Sequence, residues 1–163
     1  MTIEYTTDGA VGIITLSRPE KKNAMLLAMR DGLAELCERI NDSPEVRAVV
    51  LTGAGTDFCA GADIGEMGMG GLNGSFLRAR HMHKVVPDDA LMDEALALAR
   101  EYAGAPTIAL GLAKRMFDVA PSLTLDEFMD LEGSMLPLAV QADDFKEGTQ
   151  AFKDKRPARF TGH

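Results

Sequence analysis

DFCAGADI, at residues 57–64, is the stretch that decides the fold. It follows a valine-rich run at residues 46–51, and two glycines, Gly53 and Gly55, lie between that run and the quoted stretch. Valine-rich runs that end at glycines are typical of strands. Gly61 lets the backbone reach conformations that other residues avoid, and its small neighbours let a ligand approach the main chain. The stretch is therefore predicted to be a tight connection from a strand into a helix.

Two interpretations fit this connection. In the structural interpretation it is only a turn, and Asp63 caps the helix that follows. In the functional interpretation, a backbone N–H of the turn points into a pocket and stabilises a developing oxyanion. A short glycine motif is weak evidence by itself. Other segments of the chain have to decide between the two interpretations.

Those other segments resemble one family. They are LSRP at residues 16–19, NAM at 23–25, KEG at 146–148, Phe152, and KRPARFTG at 155–162. Together with FCAGADI at residues 58–64, and in this order, they are similar to the enoyl-CoA hydratase/isomerase (crotonase) superfamily. The resemblance covers residues 1 to about 83 and about 85 to 163. It implies an α/β fold, a truncated crotonase-like spiral of ββα turns, followed by a C-terminal helical region.

The family pattern is interrupted near residues 85 and 86. The pattern continues there with a strand, a second glycine-rich oxyanion loop and a helix that carries the catalytic acids. This chain instead passes from Lys84 directly to the start of the late helical region. Gly70 and Gly71 do not replace the second loop, because no strand leads into them. An internal deletion, a shortened product and an incomplete sequence all fit this interruption.

The resemblance assigns roles only to residues that match the family motif. Ala62 would supply the first of two backbone N–H groups that hold the thioester oxygen as it becomes enolate-like, and it is the candidate catalytic residue. The residues expected to bind the substrate are Ala60, Gly61, Ala62, Asp63, Ile64, Phe152 and Lys155. The resemblance implies no cofactor, since coenzyme A is part of the substrate.

Acidic residues near the loop offer little catalytic capacity. The carboxylates that act in hydratases and isomerases have no counterpart in this chain. Asp57 and Asp63 flank the loop and are expected to cap and orient it, and Glu66 is a weaker candidate for a replacement acid. The resemblance therefore implies a family enzyme, whereas the residues present predict weak turnover or none.

The composition of the chain restricts the kinds of partner that it is expected to bind. The chain has 163 residues, 46% hydrophobic and 26% charged, which is typical of a soluble globular protein with a real core. A net charge of −8 argues against a nucleic-acid partner. The cationic residues Lys153, Lys155, Arg156 and Arg159 form a local basic run. This run fits either a solvated tail or a contact with the phosphates of coenzyme A.

Cysteine and histidine give no metal site or disulfide framework. Cys37 falls within a helical pattern and is expected in the core, and Cys59 adjoins the loop. His81 and His83 lie two apart, so on a helix they point to different faces. No N-terminal apolar run has the length of a signal peptide or a membrane span, and a reducing cytoplasm is the expected location.

Hydrophobic periodicity predicts the elements along the chain. Strands are predicted at residues 3–6, 11–17 and 46–52, with a hairpin turn at Asp8 and Gly9. Helices are predicted after Asn23 as cap, at residues 75–86, from Pro87 to Gly104, from Pro106, after Thr124 as cap, and from Asp143 or Asp144 to about Lys155. Apolar residues expected to face inward are Leu91, Met92, Ala95, Leu96, Ala99 and Tyr102, then Ile108, Leu112, Met116 and Val119, then Leu125, Phe128, Met129, Leu131, Met135 and Leu136. Residues 65–74 fit either a surface connection or a lid over an acyl pocket.

Two parts and an oligomer follow from this organisation. Residues 1–86 are expected to form a crotonase-like part with the coenzyme A and oxyanion loop, and residues 87–163 a helical oligomerisation part. The strand at residues 46–51 loses its expected neighbour, and an unpaired edge favours association. A homo-oligomer is expected, a trimer or a multiple of it. An acyl-CoA enzyme, a non-catalytic coenzyme A-binding module and an oligomerising remnant all remain open.

Overall fold

A computed structural model of the chain describes residues 2–66 and 84–163. The chain forms two compact units, Met1–Ala99 and Arg100–His163. Both contain only short elements, and each is described by itself below. The functional division after residue 86 stays a prediction.

The first unit is built on a three-stranded sheet. Its strands are β1 (Ile3–Asp8), β2 (Val11–Leu16) and β3 (Ala48–Gly53), in the order β1-β2-β3. β1 and β2 form the predicted antiparallel hairpin, in which Gly9 takes a left-handed φ of 58°. β2 and β3 are parallel, and the helix α1 (Leu27–Asn41) connects them. The predicted order strand, strand, helix, strand is confirmed.

The core of this unit lies around the central strand. Val11, Ile14 and Leu16 of β2 are almost fully buried, as its uninterrupted apolar sequence predicts. Helix α1 contributes Met29 and Leu36, which are two turns apart on one face. The expectation that Cys37 lies in the core is wrong. Cys37 is exposed because it follows Leu36 directly and so points about 100° away from the buried face of the helix.

Four helices follow residue 87. They are α2 (Leu91–Ala103), α3 (Thr107–Val119), α4 (Leu125–Gln141) and α5 (Asp143–Asp154). Thr124 caps α4 as predicted: its hydroxyl accepts from the Glu127 N–H at 3.3 Å, and the Thr124 N–H donates to the Glu127 carboxylate at 2.8 Å. This reciprocal pair is a capping box. α5 ends at Lys155, which takes a left-handed φ of 53°.

Many apolar side chains of these helices are exposed. The prediction that they face inward is wrong for Leu91, Tyr102, Ile108, Leu125, Met129 and Leu136. Phe117 and Phe152 are also exposed, to 79% and 85%. The buried apolar residues of the four helices are Ala99, Ala103, Met135 and Ala151. The hydrophobic periodicity indicates which helix faces could be buried. The described residues include too few packing partners to bury them.

Several other predictions concern residues that the structure does not describe. His81 and His83 lie outside the described residues, and so does most of the glycine-rich loop at residues 65–74. So does the predicted helix up to residue 83. Lys84–Pro87 has no regular structure, so the extension of that helix to residue 86 is wrong. Pro87 disfavours the helical conformation at the residue before it.

Two searches of the described ranges returned nothing. Within residues 2–66 and 84–163, no helix is long and apolar enough to cross a membrane. In the same ranges, His, Cys, Asp and Glu side chains form no group of three or more that could hold a metal ion.

Candidate functional site

The DFCAGADI loop is fastened to the segment just before α1. The Ala60 N–H donates to the Lys22 carbonyl at 2.9 Å. The Met25 N–H then donates to the Gly61 carbonyl at 2.8 Å, and the Asp63 N–H donates to the Met25 carbonyl at 2.9 Å. Met25 and Ala62 thus form an isolated parallel bridge. Backbone hydrogen bonds thus hold residues 60–63 of the loop in place.

This bridge decides where the Ala62 N–H points. In a parallel bridge, one residue uses both its backbone groups on the two neighbours of the opposite residue, whose own groups point the other way. Met25 bonds Gly61 and Asp63, so the Ala62 N–H faces away from Met25. Among residues 2–66 and 84–163, no acceptor receives that N–H. A fixed donor of this kind suits a developing oxyanion.

Asn23 is the centre of the network below the loop. Its side chain is fully buried, and its Oδ1 accepts from the Arg18 N–H at 2.9 Å. Its Nδ2 donates to two carbonyls, those of Ala54 at 2.9 Å and Asp57 at 2.6 Å. The amide therefore joins the segment at Arg18 to the connection after β3. Its predicted role as helix cap is wrong, because α1 begins four residues later, at Leu27.

Gly53 makes room for this network. A Cβ at residue 53 would lie 2.6 Å from the Asn23 Nδ2 and closer still to the backbone oxygens of Asp57 and Phe58. Any side chain would have to displace backbone, so the end of β3 requires glycine for space. Gly61 has a different reason, since its φ of 106° is one that residues with a Cβ rarely adopt. The two glycines thus set the path of the loop in different ways.

Asp63 orients the loop, as the sequence predicted. Its Oδ1 accepts from the Gly65 N–H at 2.8 Å, and its Oδ2 accepts from the Arg18 guanidinium at 2.9 Å. These partners, the Gly65 N–H first and Arg18 second, hold the pKa of Asp63 below its ordinary value. The same Arg18 nitrogen donates to the Ala24 carbonyl at 2.7 Å. Asp63 is therefore an ionised structural group whose two oxygens are both engaged.

Glu66 also has a structural partner. Its Oε2 accepts from the Leu27 N–H at 2.7 Å, at the first residue of α1. This bond satisfies a helix N–H that has no partner within the helix, and it places a negative charge at the positive end of the helix. The carboxylate is thereby occupied as a cap. The weaker candidate for a replacement acid is already engaged in holding α1.

An apolar cleft lies beside the same loop in the first unit. It has a volume of about 380 Å³. Val50, Leu51 and Phe58 line it, with Leu91 and Met92 of the start of α2. Ile64, one of the predicted binding residues, is 85% exposed, and Ala60 and Gly61 are exposed as well. The loop thus presents its main chain at the surface, and apolar side chains line the cleft beside it.

The other predicted binding residues belong to the second unit. Phe152 lies near the end of α5, and Lys155 follows the helix with its N–H donating to the Phe152 carbonyl at 3.2 Å. Both side chains are exposed. Arg156 forms an ion pair with Glu147, so its charge is partly neutralised within the basic run. The roles of Phe152 and Lys155 toward coenzyme A stay predictions.

Comparison with known families decides the relationship. The sequence model of the family described as "Enoyl-CoA hydratase/isomerase" matches residues 6–81 and 80–163. The chain belongs to this family. The two matched segments meet at residues 80 and 81, a few residues before the interruption predicted near residues 85 and 86.

Individual relatives agree with this assignment. A 1,2-epoxyphenylacetyl-CoA isomerase of Escherichia coli is 26% identical over 246 aligned residues, which cover 91% of this chain and 94% of that protein. A probable enoyl-CoA hydratase of Rhodobacter capsulatus is 44% identical over 72 residues, 44% of this chain and 27% of that protein. The crystal structure of an enoyl-CoA hydratase from Bacillus anthracis superposes with a TM-score of 0.87 at 20% identity, covering 100% of both chains. The fold is thus the crotonase fold.

The alignment with the isomerase supports the prediction that the central part of the family pattern is absent from this chain. It runs over 246 positions, whereas this family member has 163 residues. The alignment must therefore contain long gaps on the side of this chain. Against the Rhodobacter capsulatus relative, the chain matches only about a quarter of that protein's length.

Sequence reasoning missed the residues that build the turn. Arg18 and Asn23 lie inside the LSRP and NAM segments that carried the family resemblance, yet no role in the loop was assigned to them. The signal was their position in a motif that the family shares. Their contacts reach across 31 to 45 residues, for example from Arg18 to Asp63, and no local pattern reports contacts of that range.

Proposed function

We propose that this family member binds an acyl-CoA thioester and holds its carbonyl oxygen with the Ala62 N–H. The observation that carries the proposal is the direction of that N–H, which faces away from Met25 and has no acceptor within the described parts of the chain. The network of Asn23, Arg18 and Asp63 keeps the donor fixed. A preorganised donor needs no rearrangement when negative charge develops on the oxygen.

The remaining contacts are proposed on the family pattern. Ala60, Gly61, Asp63 and Ile64 are placed along the path of coenzyme A. Phe152 and Lys155 are placed at its nucleotide end. The 380 Å³ cleft has the apolar lining that favours an acyl chain. No cofactor beyond coenzyme A is proposed, and no nucleic acid or membrane partner. The two cysteines are free, which fits the proposed cytoplasmic location.

Turnover is proposed to be very slow or absent. The sequence has no counterpart of the second oxyanion donor, and losing one donor costs about a hundred- to a thousandfold in rate. It also lacks the catalytic carboxylates, and general acid–base catalysis contributes about a hundred- to ten-thousandfold. Asp63 and Glu66 accept hydrogen bonds from Gly65, Arg18 and Leu27, so they are poor substitutes.

A pair of substitutions at residue 62 tests the donor. Ala62→Pro removes the N–H, whereas Ala62→Gly keeps it and is the matched control. With mass-verified protein, loss of the enoyl thioester absorbance measures hydration, and calorimetry measures acyl-CoA binding. We expect Ala62→Pro to weaken acyl-CoA binding and abolish any residual rate, and Ala62→Gly to be milder. Circular dichroism checks that the proline has not unfolded the unit.

Two results would overturn this proposal. Turnover in the ordinary enzyme range, about 1 to 1,000 per second, would show that the missing segment is not needed for catalysis. Activity or acyl-CoA binding that survives Ala62→Pro unchanged would remove Ala62 from the mechanism. An intact-mass measurement and the coding sequence have to accompany both assays, because they show whether the central segment exists.

The nucleotide end has its own matched pair. Lys155→Ala should weaken coenzyme A binding, because an ammonium contact with a phosphate is lost, and added salt should weaken binding as well. Lys153→Ala removes the same charge from the last turn of α5 and serves as control. Equal effects of the two substitutions would indicate only general attraction to the basic run. Calorimetry that detects no coenzyme A or acyl-CoA binding to folded protein would contradict the proposal.

A second candidate function is oligomerisation through residues 87–163. The exposed apolar side chains of α3 and α4, Phe117 and Leu125 among them, favour it. Strand β3 supports it too, because it lies at one edge of the sheet in the described residues. We propose a homo-oligomer, with a trimer as the family expectation. Light scattering that shows a well-folded monomer at micromolar concentration would refute it.

A further inference from the structure

The last eight residues, 156–163, run back along α5 without regular structure. Asp144, in the first turn of that helix, holds their far end. Its Oδ1 accepts from the Thr161 N–H at 2.6 Å, and its Oδ2 accepts from the Gly162 N–H at 2.9 Å. Its own N–H donates to the His163 carbonyl at 3.0 Å. The Asp144 side chain is buried by this arrangement, with only 3% of the residue exposed.

Glu147, one turn further along the helix, holds the near end. Its two oxygens accept from the Arg156 guanidinium at 2.6 and 2.8 Å, a bidentate pair. The first of these oxygens also accepts from the Arg159 N–H at 2.8 Å. Arg156 first, and the Arg159 N–H second, lower the pKa of Glu147 to about 2. Two carboxylates on one face of α5 therefore grip the same short segment.

Phe160 lies between these two contacts. Its ring covers Gly148, where an added Cβ would meet the ring at 3.4 Å. Phe160 also forms one wall of a second cavity, of about 440 Å³, within the unit Arg100–His163. Other walls come from Pro106, Ile108, Ala139 and Phe145. The segment that carries this ring contains no helix or strand.

We propose that Asp144 and Glu147 are positioning residues that clasp residues 156–163 and thereby fix Phe160 as a wall of this cavity. Opening the clasp removes the wall and exposes the floor of the cavity around Gly148. The competing explanation is that Phe160 holds itself in place through its own apolar contacts. The proposal does not depend on acyl-CoA binding, because it concerns the cavity wall and not the loop at residues 57–64.

The absence of tryptophan from the sequence allows a direct test. In a Phe160→Trp protein the indole is the sole tryptophan and reports its own burial. We expect a blue-shifted emission and weak quenching by acrylamide. Adding Asp144→Asn or Glu147→Gln should shift the emission to the red and increase quenching. Asp143→Asn is the matched control, since Asp143 pairs with Lys146 on the exposed side of the same helix.

Proteolysis gives a second readout in the parent sequence. Trypsin can cut between Arg159 and Phe160, and cleavage of a locally opened segment tracks the population of the open form. Glu147→Gln should accelerate this cut several-fold, because the bidentate pair with Arg156 and the bond from the Arg159 N–H are weakened. Arg156→Gln removes the partner instead of the carboxylate and should reproduce the effect. It keeps the test valid if a substitution inside α5 lowers the helix content.

The outcomes separate the two explanations. Red-shifted emission and faster cleavage in the clasp variants, with Asp143→Asn unchanged, support the positioning role. Emission, quenching and cleavage that match the control in both Glu147→Gln and Arg156→Gln would overturn it. Faster cleavage without any change in emission would overturn it as well, since Phe160 would then keep its place without the clasp.

Discussion

Two regions of the molecule hold irregular backbone with side chains, and they do it differently. Below the DFCAGADI loop, the neutral amide of Asn23 joins the segment at Arg18 to the connection after β3 and is fully buried. Along α5, the carboxylates of Asp144 and Glu147 hold the last eight residues, and the Glu147–Arg156 pair lies partly in solvent. The comparison sets a neutral buried amide, which is central to the loop network, against the carboxylates that hold the C-terminal segment.

The physical consequences of the two designs differ. Removing a buried amide leaves its former hydrogen-bond partners buried without water or a replacement partner. Each such unsatisfied group costs about 1–3 kcal/mol. A partly exposed ion pair contributes little and is screened by salt. We therefore expect the loop to lose its structure abruptly when its hydrogen-bond network is broken. The clasp should respond gradually to pH and ionic strength.

The largest effect is expected from Asn23→Ala. The substitution leaves the Arg18 N–H and the carbonyls of Ala54 and Asp57 without their partner. Asn23 also has a φ of 55°, which alanine tolerates less well than asparagine. We expect a loss of about 3–5 kcal/mol in the free energy of unfolding, measured in urea. Asn41→Ala, at the exposed end of α1, should change it by less than about 0.5 kcal/mol.

A small effect of Asn23→Ala would break the comparison. It would mean that water replaces the hydrogen bonds of the amide. The conformation of the loop would then be no more strongly determined than that of the clasped segment. Asn23→Asp sharpens the test, since it keeps the acceptor for Arg18 and places negative charge against the carbonyls of Ala54 and Asp57.

The second effect concerns Gly53, the glycine that the loop requires for space. Gly53→Ala pushes a Cβ into backbone, and we expect it to destabilise by about 1–3 kcal/mol, as overpacking does. Gly111→Ala in α3 is the matched control, because an added Cβ there meets nothing within 4 Å. In a helix interior that change should stabilise by about 0.5–1 kcal/mol. Opposite signs in thermal unfolding would confirm that only the loop glycine is required for space.

The sequence predicted the first region better in outline than in detail. Apolar strands, the hairpin turn and the crossover helix follow from local patterns, and Asp63 was recognised as an orienting residue. The role of Asn23 was not recognised, because it depends on carbonyls 31 and 34 residues away. Local propensity predicts that an asparagine before a helix is a cap. In the structure, tertiary hydrogen bonds determine the role of the Asn23 side chain.

The helical region shows a similar pattern. Helix positions and the Thr124 cap follow from periodicity and capping chemistry, which are local. The burial of apolar faces was predicted wrongly for Leu125 and Leu136, among others, because burial depends on what covers a helix. Neither the clasp nor its carboxylates could be predicted, since α5 and the returning segment meet only in three dimensions.

A third, smaller effect gives a scale for a single local contact. Thr124→Ala removes the hydroxyl that accepts from the Glu127 N–H at the start of α4. We expect a loss of about 1 kcal/mol in the free energy of unfolding, and Thr124→Ser should keep most of the stability. The result calibrates the loop, because an effect of Asn23→Ala no larger than this one would show that the buried amide contributes no more than a single capping hydrogen bond.

The smallest effect is the pH dependence of the clasp, and Glu147→Gln isolates it. Bonding to Arg156 and the Arg159 N–H lowers the pKa of Glu147 from its ordinary 4.5 to about 2. A group whose pKa is lower in the folded state stabilises that state above its unfolded pKa, and this contribution is lost as pH falls through the folded pKa. The clasp should therefore be fully formed above pH 4.5 and weaken progressively toward pH 2. Glu147→Gln should lack this dependence, so the Phe160→Trp emission of the two proteins should differ at pH 6 and converge near pH 2. Contributions that do not involve Glu147 are common to the two proteins and cancel in the difference between them. A difference that stays constant from pH 6 to pH 2 would mean that Glu147 holds the segment without its charge, as Asn23 holds the loop.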